Sequence, residues 1–152
     1  MPEAGCVFRF GASKTGWGYG VILESDITLL IGIYKPIMRS NEFDPKRLND
    51  ATLLLSGWTQ DGSFIDGDWA PVGRINPLPS IRHPEFKVNV EGKTWVTDYK
   101  ANLRRLANAK EESELNFHFS LSPNLYEKAF WAHHGQGEWI PYFDKLTAFV
   151  EL

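Results

Sequence analysis

Apolar and polar positions alternate with a period of two from the start of the chain. Val7-Phe8-Arg9-Phe10 is a short β-type run, and Gly16-Trp17-Gly18-Tyr19-Gly20 runs straight into Val21-Ile22-Leu23. Glycine at every second position leaves one face of a strand without side chains, so that a ring or another backbone can come close. Trp17 and Tyr19 then share the opposite face, where large aromatics most simply serve the core. The polar segment from Gly11 to Thr15 reads as a hairpin loop, and Ile27 to Tyr34 gives a third alternating run. Three strands in about thirty residues make a meander, the start of a small twisted sheet or barrel.

Beyond Tyr34 the pattern breaks, and Asn41 to Asp50 collects charge, a proline and asparagines in what reads as a loop. Ala51 to Trp58 is an apolar run predicted as a strand, although its Leu53-Leu54-Leu55 core also fits a helical turn. The Asp61-Gly62 turn with Phe64-Ile65 beyond it makes residues 52–66 a second hairpin. Asp66-Gly67-Asp68 turns the chain into Trp69-Ala70-Pro71-Val72-Gly73, and Trp69 is expected to be buried against the glycine strand. Pro77, Pro79 and Pro84 mark an extended connection. Phe86, Val88 and Val90 alternate with polar residues, turn at Glu91-Gly92 and return through Thr94 to Tyr99 as a hairpin. Ala101 to Glu114 fits either a short helix or a polar loop, and Leu115 to Leu121 alternates like a half-buried strand.

The strongest helix signature begins at Ser122, with Pro123 at the first helical position and Gly135 just past the end. Leu125, Ala129, Trp131 and Ala132 supply its apolar face, Glu127 and Lys128 face water, and loss of the serine cap is expected to cost about 1 kcal/mol. Trp139 to Val150 fits a second short helix or a final strand. The pattern predicts an α+β domain over residues 1–152: a sheet-rich part at 1–76, a Pro-rich connection at 77–85, and a hairpin, strand and one or two helices at 86–152. Its N-terminal antiparallel sheet is expected to be strongly curled, and an SH3-like barrel is one way to complete it.

Composition narrows the function. With 152 residues the chain can bury a core unaided, and the 14% of aromatic residues suits a β-rich fold. A net charge of -3 argues against a general nucleic-acid binder, which needs a basic stripe to neutralise phosphates. The single cysteine, Cys6, excludes an intramolecular disulfide and a thiolate metal cage and favours a reducing compartment. Met1-Pro2-Glu3-Ala4 does not open a signal peptide, and Ile27 to Ile33 is too short to span a membrane. The expectation is a soluble cytoplasmic protein with no membrane or nucleic-acid partner and no cofactor.

The templates of catalysis are missing: no Gly-x-Ser-x-Gly elbow, His-Glu-x-x-His helix, phosphate loop or dinucleotide fingerprint occurs. His133-His134, with His118 upstream, is the most metal-like feature. Neighbours on a helix diverge by about 100°, however, and histidines at a helix C-terminus answer its dipole. Cys6 has no recognisable base partner and reads as a small buried hydrophobe. Asp61, Asp66 and Asp68 sit in two adjacent turns near Trp58 and Trp69, and turn formation alone accounts for both Asp-Gly pairs. Together with Glu42 and Asp44 they lie in a window, residues 41–70, that holds six acids against two bases. Such a surface would steer a basic protein partner, and tryptophan is a favoured interface anchor.

The ordered set of motifs resembles the immunity protein 26 family of bacterial polymorphic toxin systems. It is carried by Gly5-Cys6-Val7-Phe8, Gly18-Tyr19-Gly20 with Val21-Ile22-Leu23, and Gly67-Asp68-Trp69-Ala70-Pro71-Val72-Gly73 with Pro77-Leu78. Trp95-Val96-Thr97-Asp98-Tyr99, Ser122-Pro123, and Gly137-Glu138-Trp139 with Tyr142 and Asp144 extend it along nearly the whole chain. The resemblance implies a small cytoplasmic protein that binds one cognate toxin and blocks it without catalysis of its own. It identifies no catalytic residue and does not locate the toxin-binding face, for which Glu42, Asp44, Trp58, Asp61, Asp66, Asp68 and Trp69 are the candidates. A β-barrel module reading a peptide or other ligand through an aromatic groove, and a small hydrolase built on His118, His133 or the aspartates, remain alternatives.

Overall fold

A strand with one bare face needs something to lie against it. In the computed structural model, which describes residues 2–12, 14 and 16–151, phenylalanine rings fill that role. The strands are β1 (Cys6–Ala12), β2 (Gly16–Ser25), β3 (Leu29–Tyr34), β4 (Leu53–Thr59), β5 (Ala70–Arg74), β6 (Phe86–Val90), β7 (Lys93–Thr97) and β8 (Leu103–Leu106). The helices are α1 (Pro45–Asn49), α2 (Gly62–Ile65), α3 (Ala109–Glu114), α4 (Pro123–His133) and α5 (Asp144–Thr147), the last preceded by a 3-10 turn, Pro141–Phe143. The fold is α+β with antiparallel sheets. Ser13 and Thr15 of the expected hairpin loop lie outside the described residues. Two compact units emerge, Met1–Ile81 with Ser120–Leu152, and Arg82–Phe119.

In the first unit five strands pair in the order β4-β3-β2-β1-β5. β1 to β3 form the meander that the alternation predicts, and β4 extends it by pairing with β3. β5 returns from far along the chain to pair with β1, placing Val7 opposite Gly73 and Phe8 opposite Pro71 across a bulge. β4 and β5 are the edges and do not meet, so the sheet is open rather than closed into an SH3-type barrel. Each face carries its own cover instead of a second wall of strands.

On one face, Phe8 lies opposite Gly20 and Phe10 opposite Gly18. A Cβ built on Gly20 would collide with the far end of the Phe8 ring, and one on Gly18 with the rings of Phe10 and Phe130. Trp69, with no exposed surface, stacks on Phe8 at 4.4 Å between centroids and 12° between planes. Phe64 of α2 meets Phe8 and Trp69 edge-on at 5.1 and 5.5 Å, and Phe130 of α4 meets Phe10 edge-on at 5.1 Å. Trp69 is therefore buried as expected, with the Phe8 ring between it and the glycine strand.

The opposite face, bearing Arg9, Trp17 and Tyr19, is covered by the segment that follows β3. Trp17 and Met38 exchange main-chain hydrogen bonds of 2.8 Å, and the Arg9 guanidinium lies over the Trp17 ring and donates to the Asn41 carbonyl. Phe43 fills the space above Gly73. This segment is not all loop: the Asp44 carboxylate accepts from the Lys46 N–H at 3.0 Å and Pro45 occupies the first position of α1, which buries Leu48. Asp-Pro here is an N-cap signal that the surrounding charge obscured.

The expected hairpin over 52–66 does not form. β4 pairs with β3, and the Asp61-Gly62 pair opens the single turn of α2 rather than a tight strand reversal. Phe64 turns inward and Ile65 is 76% exposed, so no strand alternation continues there.

α4 fulfils its predicted limits, and its C-terminus is a Schellman motif: Gln136 N–H donates to the Trp131 carbonyl at 2.8 Å and Gly135 N–H to that of Ala132 at 3.1 Å, with Gly135 at φ +84°. At the other end Ser122 occupies the cap position, but its hydroxyl makes no capping hydrogen bond, so the expected cost of losing it has no basis here. The buried residues are Tyr126, Ala129 and Phe130, while Leu125, Trp131 and Ala132 are half-buried. The Tyr126 hydroxyl donates to the Trp58 carbonyl at 2.6 Å, the Thr59 hydroxyl to that of Leu121 at 2.7 Å, and the His134 Nε2 to that of Lys35 at 2.7 Å. The helix is thus tied at both ends to the sheet. The final segment is the helical alternative, the 3-10 turn and α5.

The second unit is a three-stranded sheet, β6-β7-β8. Its hairpin turns at Glu91-Gly92 with positive φ at both residues, as the two-residue turn requires. Ala101 to Glu114, open between helix and loop on sequence, divides into β8 and α3. The helix starts on a capping box in which Asn108 and Glu111 serve one another's backbone N–H. Leu115 to Leu121 is not a strand. His118 and Phe119, though adjacent, both pack their rings edge-on against Phe86, at 5.0 and 5.7 Å, which a period of two forbids.

Gly18→Ala and Gly20→Ala should each destabilise by about 1–3 kcal/mol in chemical denaturation, since the rings beneath have no room to withdraw. Trp69→Ala should cost about 3–5 kcal/mol. A loss below about 1 kcal/mol at any of the three positions would contradict the packing described.

Candidate functional site

The acids singled out in sequence do not form one surface. Glu42 and Asp44 belong to the cover over Arg9 and Tyr19, where the Tyr19 hydroxyl reaches the Glu42 carbonyl at 3.5 Å. Asp61, Asp66 and Asp68 flank α2 on the aromatic side of the sheet. All are exposed except Asp61, which is half-buried, and Asp61 makes no capping hydrogen bond with its side chain. Trp58 and Trp69 are buried, at 6% and 0% exposure, and pack within the core. Asp44 alone of the acids has a structural task, as the cap of α1 and the partner of Arg47 at 3.9 Å.

The histidines are held by local structure. His118 Nε2 lies 3.2 Å from the Tyr99 carbonyl. His133 is shifted toward the neutral form, first by burial and then by His134 and Lys35 nearby. Among the described residues no three His, Cys, Asp or Glu side chains converge in a way that could hold a metal ion. Burial pushes the Cys6 thiol up and so keeps it protonated and poorly nucleophilic, with Arg74 acting in the opposite direction.

Two features of the first unit lay beyond the sequence reading. Glu127, expected to face water, is half-buried. Burial raises its pKa, the nearby Trp69 indole N–H lowers it, and Asp68 raises it. The indole Nε1 has no hydrogen bond of standard geometry, and the Glu127 carboxylate is the group that answers its polarity. The second is an open groove of about 480 Å³ beside the C-terminal half of α4. Trp131, Ile140 and Phe143 form its apolar lining, with Lys128, Gln136 and Glu138 around them. The Schellman turn at Gly135 carries Gln136 to Glu138 across from Trp131, and Trp139 fixes the next stretch by donating its indole N–H to Asp144 at 3.0 Å. The aromatic density of 139–143 was the available signal, but groove formation depends on the turn before it.

No helix among the described residues is long and apolar enough to cross a membrane. A family model described as Immunity protein 26 matches residues 3–92, which run from before β1 to the turn after β6. No curated protein and no solved structure matches the chain.

With its pKa raised in the folded state, Glu127 keeps its proton at pH values where the unfolded chain has released it. Its contribution therefore makes stability fall as pH rises between the ordinary glutamate value and the raised one. Glu127→Gln should raise the thermal midpoint at neutral pH and flatten that slope, as measured by denaturation across a pH series. An unaltered slope would place the carboxylate in water.

Proposed function

The chain belongs to the immunity protein 26 family, and from that premise we propose that it binds and neutralises a cognate bacterial toxin domain by non-catalytic protein–protein association. The family match over residues 3–92 carries this reading. The partner is a protein of a polymorphic toxin system, and the site of action is the cytoplasm of the cell that must be protected.

Charge supports a basic toxin. The first unit holds nine basic against thirteen acidic side chains, net -4, while the second has seven against six, net +1. Asp61, Asp66 and Asp68 present their carboxylates near one short helix, and Glu42 and Asp44 add to the field from the other cover. Such charges act mainly on the encounter rate, whereas Trp58 and Trp69 contribute from beneath by holding the surface rigid.

The test is recovery of the tagged protein from its native cells at moderate salt, with any stoichiometric companion identified by mass. A companion that arrests growth when expressed alone, and is silenced when this chain is added, is the expected result. A candidate toxin that forms no complex and stays active beside this chain would overturn the reading. With the toxin in hand, reversing Asp61, Asp66 and Asp68 together to lysine should slow association about 10-fold at low salt and flatten its salt dependence, with little change in dissociation. An on-rate with unchanged salt dependence would remove these three acids from the interface.

A further inference from the structure

We propose that the groove beside the C-terminal half of α4 anchors one large apolar side chain of the toxin domain, with a lysine or arginine next to it. This inference rests on the immunity reading. The groove is apolar where it is deep. Phe143 is buried at 3% exposure and belongs to the packed base, whereas Ile140 stays 39% exposed beside it. Trp131 is half-buried, its inner edge against Phe10 and Phe130 at 6.3 and 5.0 Å. An anchor seated there would meet a wall already fixed by the core, so ordering costs on this side would be small. Buried tryptophan, tyrosine and arginine side chains dominate such contacts.

The rim sets the polarity of the neighbour. Glu138 is exposed and makes no ion pair among the described residues, and the unit around it is net acidic. A lysine or arginine flanking the anchor would therefore find a carboxylate within the same footprint. Lys128, on the other wall, suits a main-chain carbonyl or a carboxylate of the partner. The groove also lies outside the segment matched by the family model, which ends at residue 92.

The experiment uses the full chain and two probes. Trp131 is unsuitable for substitution because the core leans on it, so the variants are Ile140→Ser and Glu138→Lys, each first shown to keep the wild-type thermal midpoint. N-acetyl-arginyl-tryptophanamide and its glutamyl counterpart are titrated while the Trp131 indole and the amides of residues 136–138 are followed by NMR. Saturable shifts confined to the groove are expected, with the arginyl peptide about threefold or more tighter. Glu138→Lys should invert that preference and Ile140→Ser should weaken both peptides. The toxin domain recovered as above should bind each variant about 10-fold or more weakly. Absence of shifts with both peptides would overturn the anchor site. Toxin binding within about twofold of wild type in both folded variants would overturn it too, while leaving the immunity reading intact. A wild-type chain that binds the peptides but no toxin would instead remove the toxin as occupant.

Discussion

The structure depends on rings resting on glycines. Phe8 and Phe10 can approach β2 only because Gly20 and Gly18 offer no side chain, and the volume so released admits Trp69 above one ring and Phe130 beside the other. That one contact layer recruits elements from three distant parts of the sequence: the strand that precedes it, the turn around α2, and α4. An added methyl group would lift the rings, and the displacement would pass directly into the stack, because interiors packed at crystal density have no slack to absorb it. It also explains the open sheet. Filling this face with large rings and a helix leaves no place for a second wall of strands, and the other face is already taken by the segment carrying α1.

Much of this was legible in the sequence because it is encoded locally. Period-two alternation located β1 to β3 and the β6–β7 hairpin, a continuous apolar run located β4, and proline before a run ending in glycine located α4 within its observed limits. The misreadings share a cause. Residues 60–66 and 101–121 are short and mixed, and there the tertiary partner decides the conformation: Phe64 is drawn into the stack, and His118 and Phe119 both turn to Phe86. Such outcomes depend on what lies opposite in space, which a period cannot report.

The candidate surface was less legible for a related reason. Acids within thirty residues of one another looked like one cluster, yet the sheet runs between Glu42 and Asp44 on one cover and Asp61, Asp66 and Asp68 on the other. Proximity along a chain that crosses a sheet says little about which face a residue serves. Glu127 shows the converse: a position three before the buried Phe130 can be either solvent or interface, and its half-burial beside Trp69 makes it the latter. The groove at 128–143 needed a Schellman turn, an indole-to-carboxylate tie and a 3-10 turn to coincide, none of which an aromatic count reveals.

Cys6 opens β1, the strand bonded on one side to β2 and on the other to β5 through its pairing with Arg74. Its thiol is buried at 8% exposure and kept protonated by that burial. As the chain's sole cysteine, it is a native reporter placed at the junction of the local meander with the strand that arrives last in sequence. A thiol reagent added to the folded chain would remain idle until β5 peels from β1. Alkylation kinetics would therefore time the opening of this seam, separating loosening of the sheet edge from collapse of the whole unit without any introduced label.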